Sequence, residues 1–101
     1  MASDPVYTVV LSSKAQNEIA ASWQWYEERE HGLGDRLMLS VMQKLNAIAK
    51  NPAIFSIKRK PYREANISVF PFLIVYKINK NQKLIEVASV FHTSRNPKKK
   101  Y

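Results

Sequence analysis

The chain has 101 residues and is 46% hydrophobic, so it can build one apolar core but not two. It contains no cysteine, which excludes a disulfide framework, a thiolate metal site and a thiol nucleophile. No stretch approaches the roughly 20 apolar residues that cross a bilayer, and the N-terminus lacks the basic and apolar regions of a signal peptide. We therefore expect a single cytoplasmic domain over residues 1–101, with no membrane span.

The net charge of +8 comes from the C-terminal half of the chain. Residues 1–50 hold five basic and six acidic side chains, whereas residues 51–101 hold eleven basic and two acidic, a net of 11 − 2 = +9. A surface of this kind attracts phosphate backbones or an acidic protein partner. A solvated basic surface kept for solubility is the alternative. Charge alone does not choose between RNA and protein.

A strand and a helix are predicted at the start of the chain. Residues 6–11 are β-branched and apolar on both faces, which indicates a short strand buried on both sides or placed centrally in a sheet. Ser13 and Gln16 have the spacing of a capping box, so a helix should begin there and run to about His31. Its apolar stripe recurs at steps of three and four residues, at Ala15, Ile19, Trp23 and Tyr26.

A second helix follows a tight connection. Gly32 can take the left-handed conformation that closes the first helix, and Asp35 is placed to favour the start of the next one. The second helix should end by Lys50, because Pro52 disfavours helix in the residue before it. Its broad apolar face consists of Leu37, Met38, Val41, Met42, Leu45, Ile48 and Ala49. Two helices joined by so few residues should pack as an antiparallel hairpin.

Beyond Pro52 the pattern becomes that of strands. One strand face would hold Arg63, Ala65 and Ile67, which alternate with Glu64, Asn66 and Ser68. Residues 72–76 are apolar throughout as in a central strand, and residues 84–91 form another long strand. The short polar connection between the last two predicts a hairpin. The element order β-α-α-β-β-β predicts an α+β domain, with a mostly antiparallel sheet and the helical hairpin packed on one face. Residues 96–101 are expected to be a flexible basic tail.

Metal and nucleotide chemistry find little support in the sequence. His31 and His92 lie far apart on different elements, and no carboxylate pattern beside either one resembles a metal site. Gly32 and Gly34 are the only glycines, too few for a phosphate-binding loop, and no Lys-Ser/Thr pair follows them. We therefore expect no metal and no cofactor.

The candidate site residues are the polar and basic side chains of the C-terminal half: Lys58, Arg59, Lys60, Tyr62, Arg63, His92, Arg95 and Tyr101. Arg63 would share a strand face with Ala65 and Ile67, so if helices cover that face its charge needs a partner or a cleft. An ion pair of Arg63 with Glu64, Glu86 or a helix acid is the structural alternative.

Cleavage of RNA by its own 2′-hydroxyl needs a base, cations for the charge that develops on phosphorus, and an acid for the leaving oxygen. The basic residues could supply the cations. His92, at the end of the last strand, or Tyr101 could transfer protons, although a strand-end histidine more often only forms a hydrogen bond. Trp25 lies off the apolar stripe of the first helix and is a candidate for an exposed partner contact, whereas its aromatic neighbours there are more often core.

Several segments together resemble the RelE/ParE toxin superfamily, also called plasmid stabilisation proteins, over nearly the whole chain. These are Val9-Val10-Leu11-Ser12, Trp25-Tyr26-Glu27, Gly32-Leu33-Gly34-Asp35-Arg36-Leu37, Asn51-Pro52, Tyr62-Arg63, Phe70-Pro71-Phe72-Leu73-Ile74-Val75-Tyr76 and Val90-Phe91-His92-Thr93-Ser94-Arg95-Asn96-Pro97. The resemblance implies the β-α-α-β-β-β fold, toxicity to a growing cell, and a cognate antitoxin whose C-terminal segment wraps the toxin.

The superfamily contains two mechanisms, and the resemblance leaves both open. ParE-like members inhibit DNA gyrase by binding it, and the long first helix with its Trp-Tyr patch and the Gly-Leu-Gly connection are more similar to this branch. RelE-like members cut messenger RNA on the ribosome without a metal. Arg63 matches the arginine position of that site, and His92 and Arg95 match its general region.

Three hypotheses follow from the resemblance. The leading one is a toxin that binds DNA gyrase, with Lys58, Arg59, Lys60 and Arg95 meeting the target and Trp25 meeting the antitoxin. The second is a ribosome-dependent endoribonuclease that uses Arg63, His92 and Tyr101. The third is a degenerate antitoxin-binding module without toxicity.

Overall fold

The computed structural model describes residues 6–94, so Arg95, Tyr101 and the predicted tail over residues 96–101 lie outside the described residues. The elements are β1 (Thr8–Leu11), α1 (Ser13–Arg29), α2 (Leu33–Lys50), a 3-10 turn (Pro52–Ile54), β2 (Ile57–Arg59), β3 (Tyr62–Asn66), β4 (Phe72–Asn79) and β5 (Leu84–His92). The α+β class and the predicted element order are confirmed. Among the described residues the structure adds the 3-10 turn and β2. The three exposed residues of β2 carry no apolar alternation that a sequence pattern could reveal.

The five strands form one sheet in the order β1-β5-β4-β3-β2. β4 pairs antiparallel with both β3 and β5, which confirms the predicted central strand and the predicted hairpin. Within residues 6–94, β1 pairs with β5 alone, in parallel, and lies at the sheet edge. The prediction that β1 is buried on both sides or central is therefore wrong. Val10 on this edge is 46% exposed, because no strand or helix covers its side of β1.

Helix α1 is capped by Ser12 rather than by the predicted Ser13. The Ser12 hydroxyl accepts a hydrogen bond from the backbone N–H of Ala15 (3.0 Å) and donates one to the carbonyl of Ala88 (2.8 Å). The backbone N–H of Ser12 also donates to the Val87 carbonyl (2.9 Å), in line with the β1–β5 pairing. Ser12 thus ends a strand and caps a helix at the same residue, which moves the cap one position earlier.

Glu18 joins α1 to the part of β5 that extends beyond β1. Its carboxylate oxygen Oε1 accepts hydrogen bonds from the Ser89 hydroxyl (2.8 Å) and from the backbone N–H of Val90 (3.0 Å). The pairing of β1 with β5 ends at Val87, so the carboxylate satisfies a backbone donor that no strand reaches.

The two helices are joined by a connection that Glu27 stabilises. Gly32 has φ 89°, the left-handed conformation expected from the sequence. The carboxylate of Glu27 accepts from the backbone N–H groups of Gly32 (2.8 Å) and Gly34 (3.0 Å), so a side chain of α1 caps the start of α2. A Cβ atom on Gly34 would lie 2.7 Å from the carbonyl oxygen of Trp23, so the helices approach closely at this point.

The core lies between the sheet and the helical hairpin. Its buried residues include Ala15, Leu37, Val41, Ile48, Ala65, Ile67, Phe70, Phe72, Ile74, Tyr76, Ile85, Val87 and Val90. Three residues differ from the predicted apolar faces. Trp23 is 37% exposed and the small Ser22 is buried in α1, while Met42 of α2 is exposed. The close approach of α2 to α1 at Gly34 leaves room there for only one edge of the indole ring.

Candidate functional site

Arg63 lies on β3 and binds backbone oxygens. Its Nη1 atom donates to the carbonyl of Phe55 (2.7 Å) and to the carbonyl of Ala53 (3.3 Å). It thereby holds the segment after α2 against the sheet. From the sequence, Arg63 was expected to need a partner or a cleft if helices cover its strand face. In the structure its partners are two backbone carbonyls rather than a carboxylate.

Tyr76 also binds the segment that follows α2. The residue is fully buried on β4, and its hydroxyl donates to the carbonyl of Pro52 (2.6 Å). Burial raises the pKa of the Tyr76 phenol from 10.0 to about 12, and the nearby positive charge of Arg63 offsets part of that rise. Tyr76 is therefore a neutral hydrogen-bond donor throughout the physiological pH range.

The predicted basic residues Lys58, Arg59 and Lys60 lie at the opposite edge of the sheet from β1. Lys58 and Arg59 belong to β2, Lys60 follows in the turn to β3, and all three are exposed. This placement suits contact with a macromolecule.

His92 ends β5, as predicted, and packs edge-on against the ring of Phe72 with ring centres 5.0 Å apart. Its Nδ1 atom accepts a hydrogen bond from the backbone N–H of Ser94 (3.1 Å), so this nitrogen carries no proton in the described arrangement.

The sheet register keeps His92 and Arg63 apart. His92 pairs with Phe72 and Arg63 pairs with Tyr76, on opposite flanks of β4 and four residues apart along it. Strand geometry then places the two Cα atoms on the order of 15 Å apart. The Arg63 side chain also binds the Ala53 and Phe55 carbonyls beside β2, the strand farthest from β1 and two strands away from β4.

Trp25 is half-buried beside Arg29. The guanidinium carbon of Arg29 lies 3.6 Å from the centre of the Trp25 ring, and the ring of Tyr26 meets Trp25 edge-on at 4.9 Å. The more exposed tryptophan is Trp23, which the sequence pattern had assigned to the apolar stripe.

An apolar groove crosses the outside of α1, between β1 and α2. It has a volume of about 430 Å³ and is lined by Leu11, Gln16, Ile19, Ala20, Trp23 and Met38. The indole Nε1 of Trp23 donates to Asp35 (2.9 Å), which holds the ring in place as one wall of the groove. A groove with so little polar lining is suited to the apolar side chains of a partner.

A second cleft, of about 290 Å³, lies on the face of the sheet that the helices do not cover. Tyr62, Lys77 and Glu86 line it together with Val10, Ser12, Val87 and Ala88. The Lys77 ammonium lies 3.6 Å from a carboxylate oxygen of Glu86 and 6.0 Å from the centre of the Tyr62 ring.

Sequence reasoning did not identify the groove or the Lys77–Glu86 pair. Lys77 and Glu86 face each other across the β4–β5 hairpin, so a correct register would have predicted their contact. The groove carried one signal, the apolar side chains at Trp23 and Met38, but these fit a buried stripe equally well.

The described residues offer neither a metal centre nor a membrane-spanning helix. Among residues 6–94, no three histidine or acidic side chains come together in a way that could hold a metal ion. Within the same part of the chain, neither helix combines the length and apolar character needed to span a bilayer.

The fold is similar to those of known toxins. The chain superposes on the chromosomal ParDE toxin–antitoxin system of Pseudomonas aeruginosa with a TM-score of 0.74 at 10% identity, covering 88% of this chain and 98% of that chain. It superposes on the toxin–antitoxin complex RelBE2 of Mycobacterium tuberculosis (TM-score 0.64, 16% identity, 89% and 94% covered) and on the isolated RelE toxin of Escherichia coli (0.67, 18%, 88% and 86%). At these identities the likeness concerns the fold.

No curated protein sequence matches the chain. The family model of the ParE toxin of the type II toxin–antitoxin system parDE matches residues 9–97. This range includes every helix and strand from the middle of β1 to the end of β5. The chain therefore belongs to the ParE toxin family of type II toxin–antitoxin systems.

Proposed function

We propose that this protein inhibits growth by binding DNA gyrase in the cytoplasm and that a cognate antitoxin protein neutralises it. We favour gyrase over RNA as the target because of the contacts that Arg63 makes. A ribonuclease would present this guanidinium to a scissile phosphate, but here it binds the carbonyls of Ala53 and Phe55 at 3.3 and 2.7 Å. Inhibition by binding requires a surface rather than an assembled set of acid, base and cation.

The apolar groove on α1 is the surface that we assign to the antitoxin. Its occupant would be an amphipathic segment, since the groove offers apolar walls and few polar partners. The adjoining strand β1 is an edge strand, so a chain that fills the groove can continue along it. The solved ParDE and RelBE2 structures with similar folds are toxin–antitoxin systems, which supports a partner of this kind.

The second candidate is a ribosome-dependent endoribonuclease. The cleft on the open face of the sheet favours it, because Tyr62, Lys77 and Glu86 are the types of side chain that move protons and neutralise phosphate charge. In the described arrangement, Lys77 and Glu86 instead pair with each other at 3.6 Å.

Inducible expression in a growing bacterium separates the two candidates. The wild-type chain should arrest growth, block supercoiling by purified gyrase and leave transcript ends unchanged. Co-expression of the cognate antitoxin, to be sought as a small acidic protein encoded next to the toxin, should restore growth. New codon-phased cuts that disappear in Glu86→Gln would establish the nuclease instead. Normal growth with the wild-type chain would contradict both candidates and leave a binding module without toxicity.

A further inference from the structure

Two exposed isoleucines lie close together in the chain, at the β2 edge of the sheet. Ile54 is 61% exposed and Ile57 is 52% exposed, although isoleucine is among the residues most often buried in proteins. They are three residues apart, so their Cα atoms lie within about 11 Å of each other. We refer to Ile54 and Ile57, with the neighbouring cations Lys44 and Lys58, as the Ile54–Ile57 surface.

The backbone that carries these isoleucines is held rigidly. The Tyr76 hydroxyl binds the Pro52 carbonyl at 2.6 Å, and Arg63 binds the carbonyls on either side of Ile54. The backbone N–H of Glu64 donates to the carbonyl of Ser56 (3.2 Å), immediately before Ile57. A partner would therefore bind a surface that is already ordered, and little conformational entropy would be lost on binding.

The charge near the surface is mainly positive, and the nearest acid along β3 is Glu64, whose backbone N–H binds the Ser56 carbonyl next to Ile57. From Arg36 to Arg63 the sequence contains seven basic side chains and no aspartate or glutamate. The Lys44 ammonium lies 5.4 Å from the centre of the ring of Phe55, the residue that follows Ile54. Neither Lys44 nor Lys58 forms an ion pair within the part of the chain that the structure describes. The isoleucines are thus exposed apolar residues in a segment with a positive net charge.

We propose that the Ile54–Ile57 surface binds the protein target of the toxin, through an acidic surface patch on the target that accepts the two isoleucines. This inference rests on the proposed function and adds the surface through which the toxin would bind its target. Protein–protein interfaces typically have an apolar centre and a polar rim. The cations would favour encounter with an acidic patch, and the isoleucines would supply most of the affinity.

Other occupants fit less well. A nucleic acid would use the cations, but isoleucine offers no ring on which a base can stack. A second copy of this chain would bring like charges together. The antitoxin is assigned to the groove beside β1, and β1 and β2 are the two outer strands of the sheet. Four strand spacings, about 19 Å, separate them, so target and antitoxin surfaces are distinct.

Paired variants test the proposal. Ile54→Ser with Ile57→Ser removes the apolar anchors, and Lys44→Glu with Lys58→Glu reverses the charge. Val69→Asn is the matched apolar control, because Val69 is 85% exposed at the other end of β3, and Lys80→Glu is the matched charge control. The measurements are the inducer dose that halves the growth rate, co-purification with the antitoxin, and the urea midpoint of unfolding.

Both double variants should raise the inducer dose by at least about tenfold, with antitoxin binding and the urea midpoint unchanged and both controls equal to wild type. Full toxicity of the isoleucine double variant would overturn the proposal. Loss of toxicity in the charge variant alone would point to a nucleic acid and also overturn it. Loss of antitoxin binding would assign the surface to the antitoxin. A wild-type chain that does not arrest growth would contradict the proposed function itself.

Discussion

At the scale of single residues, Arg63 is the side chain on which structural and catalytic interpretations differ most sharply. Arg63→Ala leaves the half-buried Phe55 carbonyl without its donor, so we expect the free energy of unfolding to fall by about 1 to 3 kcal/mol. Arg63→Lys should lose less, because an ammonium can still reach one carbonyl. Lys58→Ala, on the exposed edge strand, should stay within about 0.5 kcal/mol. Urea unfolding measures all three.

The same variants report on function. If Arg63 is structural, toxicity should fall only as far as the folded population falls, and a low-temperature assay should restore it. Lost toxicity in an Arg63→Ala protein as stable as wild type would instead show that Arg63 acts on the target.

Tyr76 gives a prediction about pH. Its pKa is about 12 in the folded protein, against 10.0 for an ordinary tyrosine, so the unfolded chain loses the proton first as pH rises. The resulting stabilisation is fully present below pH 10 and disappears between pH 10 and about 12. It amounts to about 2 to 3 kcal/mol, because each unit of pKa is worth about 1.4 kcal/mol.

The comparison with Tyr76→Phe isolates this effect. At neutral pH the variant should be about 1 to 2 kcal/mol less stable, since the Pro52 carbonyl loses its donor. Above pH 10 the advantage of the wild type should shrink to zero and then reverse by about 1 kcal/mol near pH 12, while titration of lysines affects both proteins alike. Curves that stay parallel from pH 8 to about 12 would contradict the role assigned to Tyr76.

At the scale of elements, the α1–α2 hairpin depends on a glycine contact. A Cβ on Gly34 would lie 2.7 Å from the Trp23 carbonyl oxygen and 2.9 Å from its ring, and the carbonyl belongs to a helix that cannot shift by itself. Gly34→Ala should therefore cost about 1 to 3 kcal/mol of stability and displace the indole that forms a wall of the groove.

Gly32 provides the matched control for Gly34. It has φ 89°, and a Cβ at this position would meet no atom within 4 Å, so Gly32→Asn, which tolerates this conformation, should be nearly neutral. Thermal unfolding and antitoxin affinity would be measured together. Equal behaviour of Gly34→Ala and Gly32→Asn would rule out the close approach as the feature that shapes the groove.

At the scale of the whole molecule, the net charge of +8 governs association with acidic partners. We expect the rate of association with the antitoxin to fall at least about tenfold between about 50 mM and about 500 mM salt, because screening removes long-range attraction. The dissociation rate should change much less, since the groove is apolar.

The fluorescence of Trp23 allows association with the antitoxin to be followed directly. In a Trp25→Phe variant Trp23 is the sole tryptophan, and its fluorescence should shift to shorter wavelength when the antitoxin covers it. Lys80→Glu serves as a charge control away from the groove. A salt-independent association rate would mean that the basic half of the chain plays no part in antitoxin capture.

Sequence patterns sufficed for the element types and their order. The 3.6-residue period of α1 and α2, the apolar run of β4 and the short turn to β5 are local properties, and local hydrogen bonding and side-chain burial enforce them. The same holds for Gly32, whose left-handed conformation is a requirement of the backbone at that position. The family resemblance could also be recognised from the sequence, and it agrees with the match to the ParE toxin model.

Tertiary structure alone decided which surfaces stay open and which charges are occupied. β1 has the composition of a central strand but lies at an edge, because the strand order of a sheet depends on contacts between distant segments. Arg63 could have faced a phosphate, a carboxylate or a carbonyl, and only the path of residues 52–57 across its side chain determined the choice. The exposure of Trp23, Ile54 and Ile57 has the same origin. The sequence shows that an apolar residue is able to be buried, but the space left by the other elements determines whether it is.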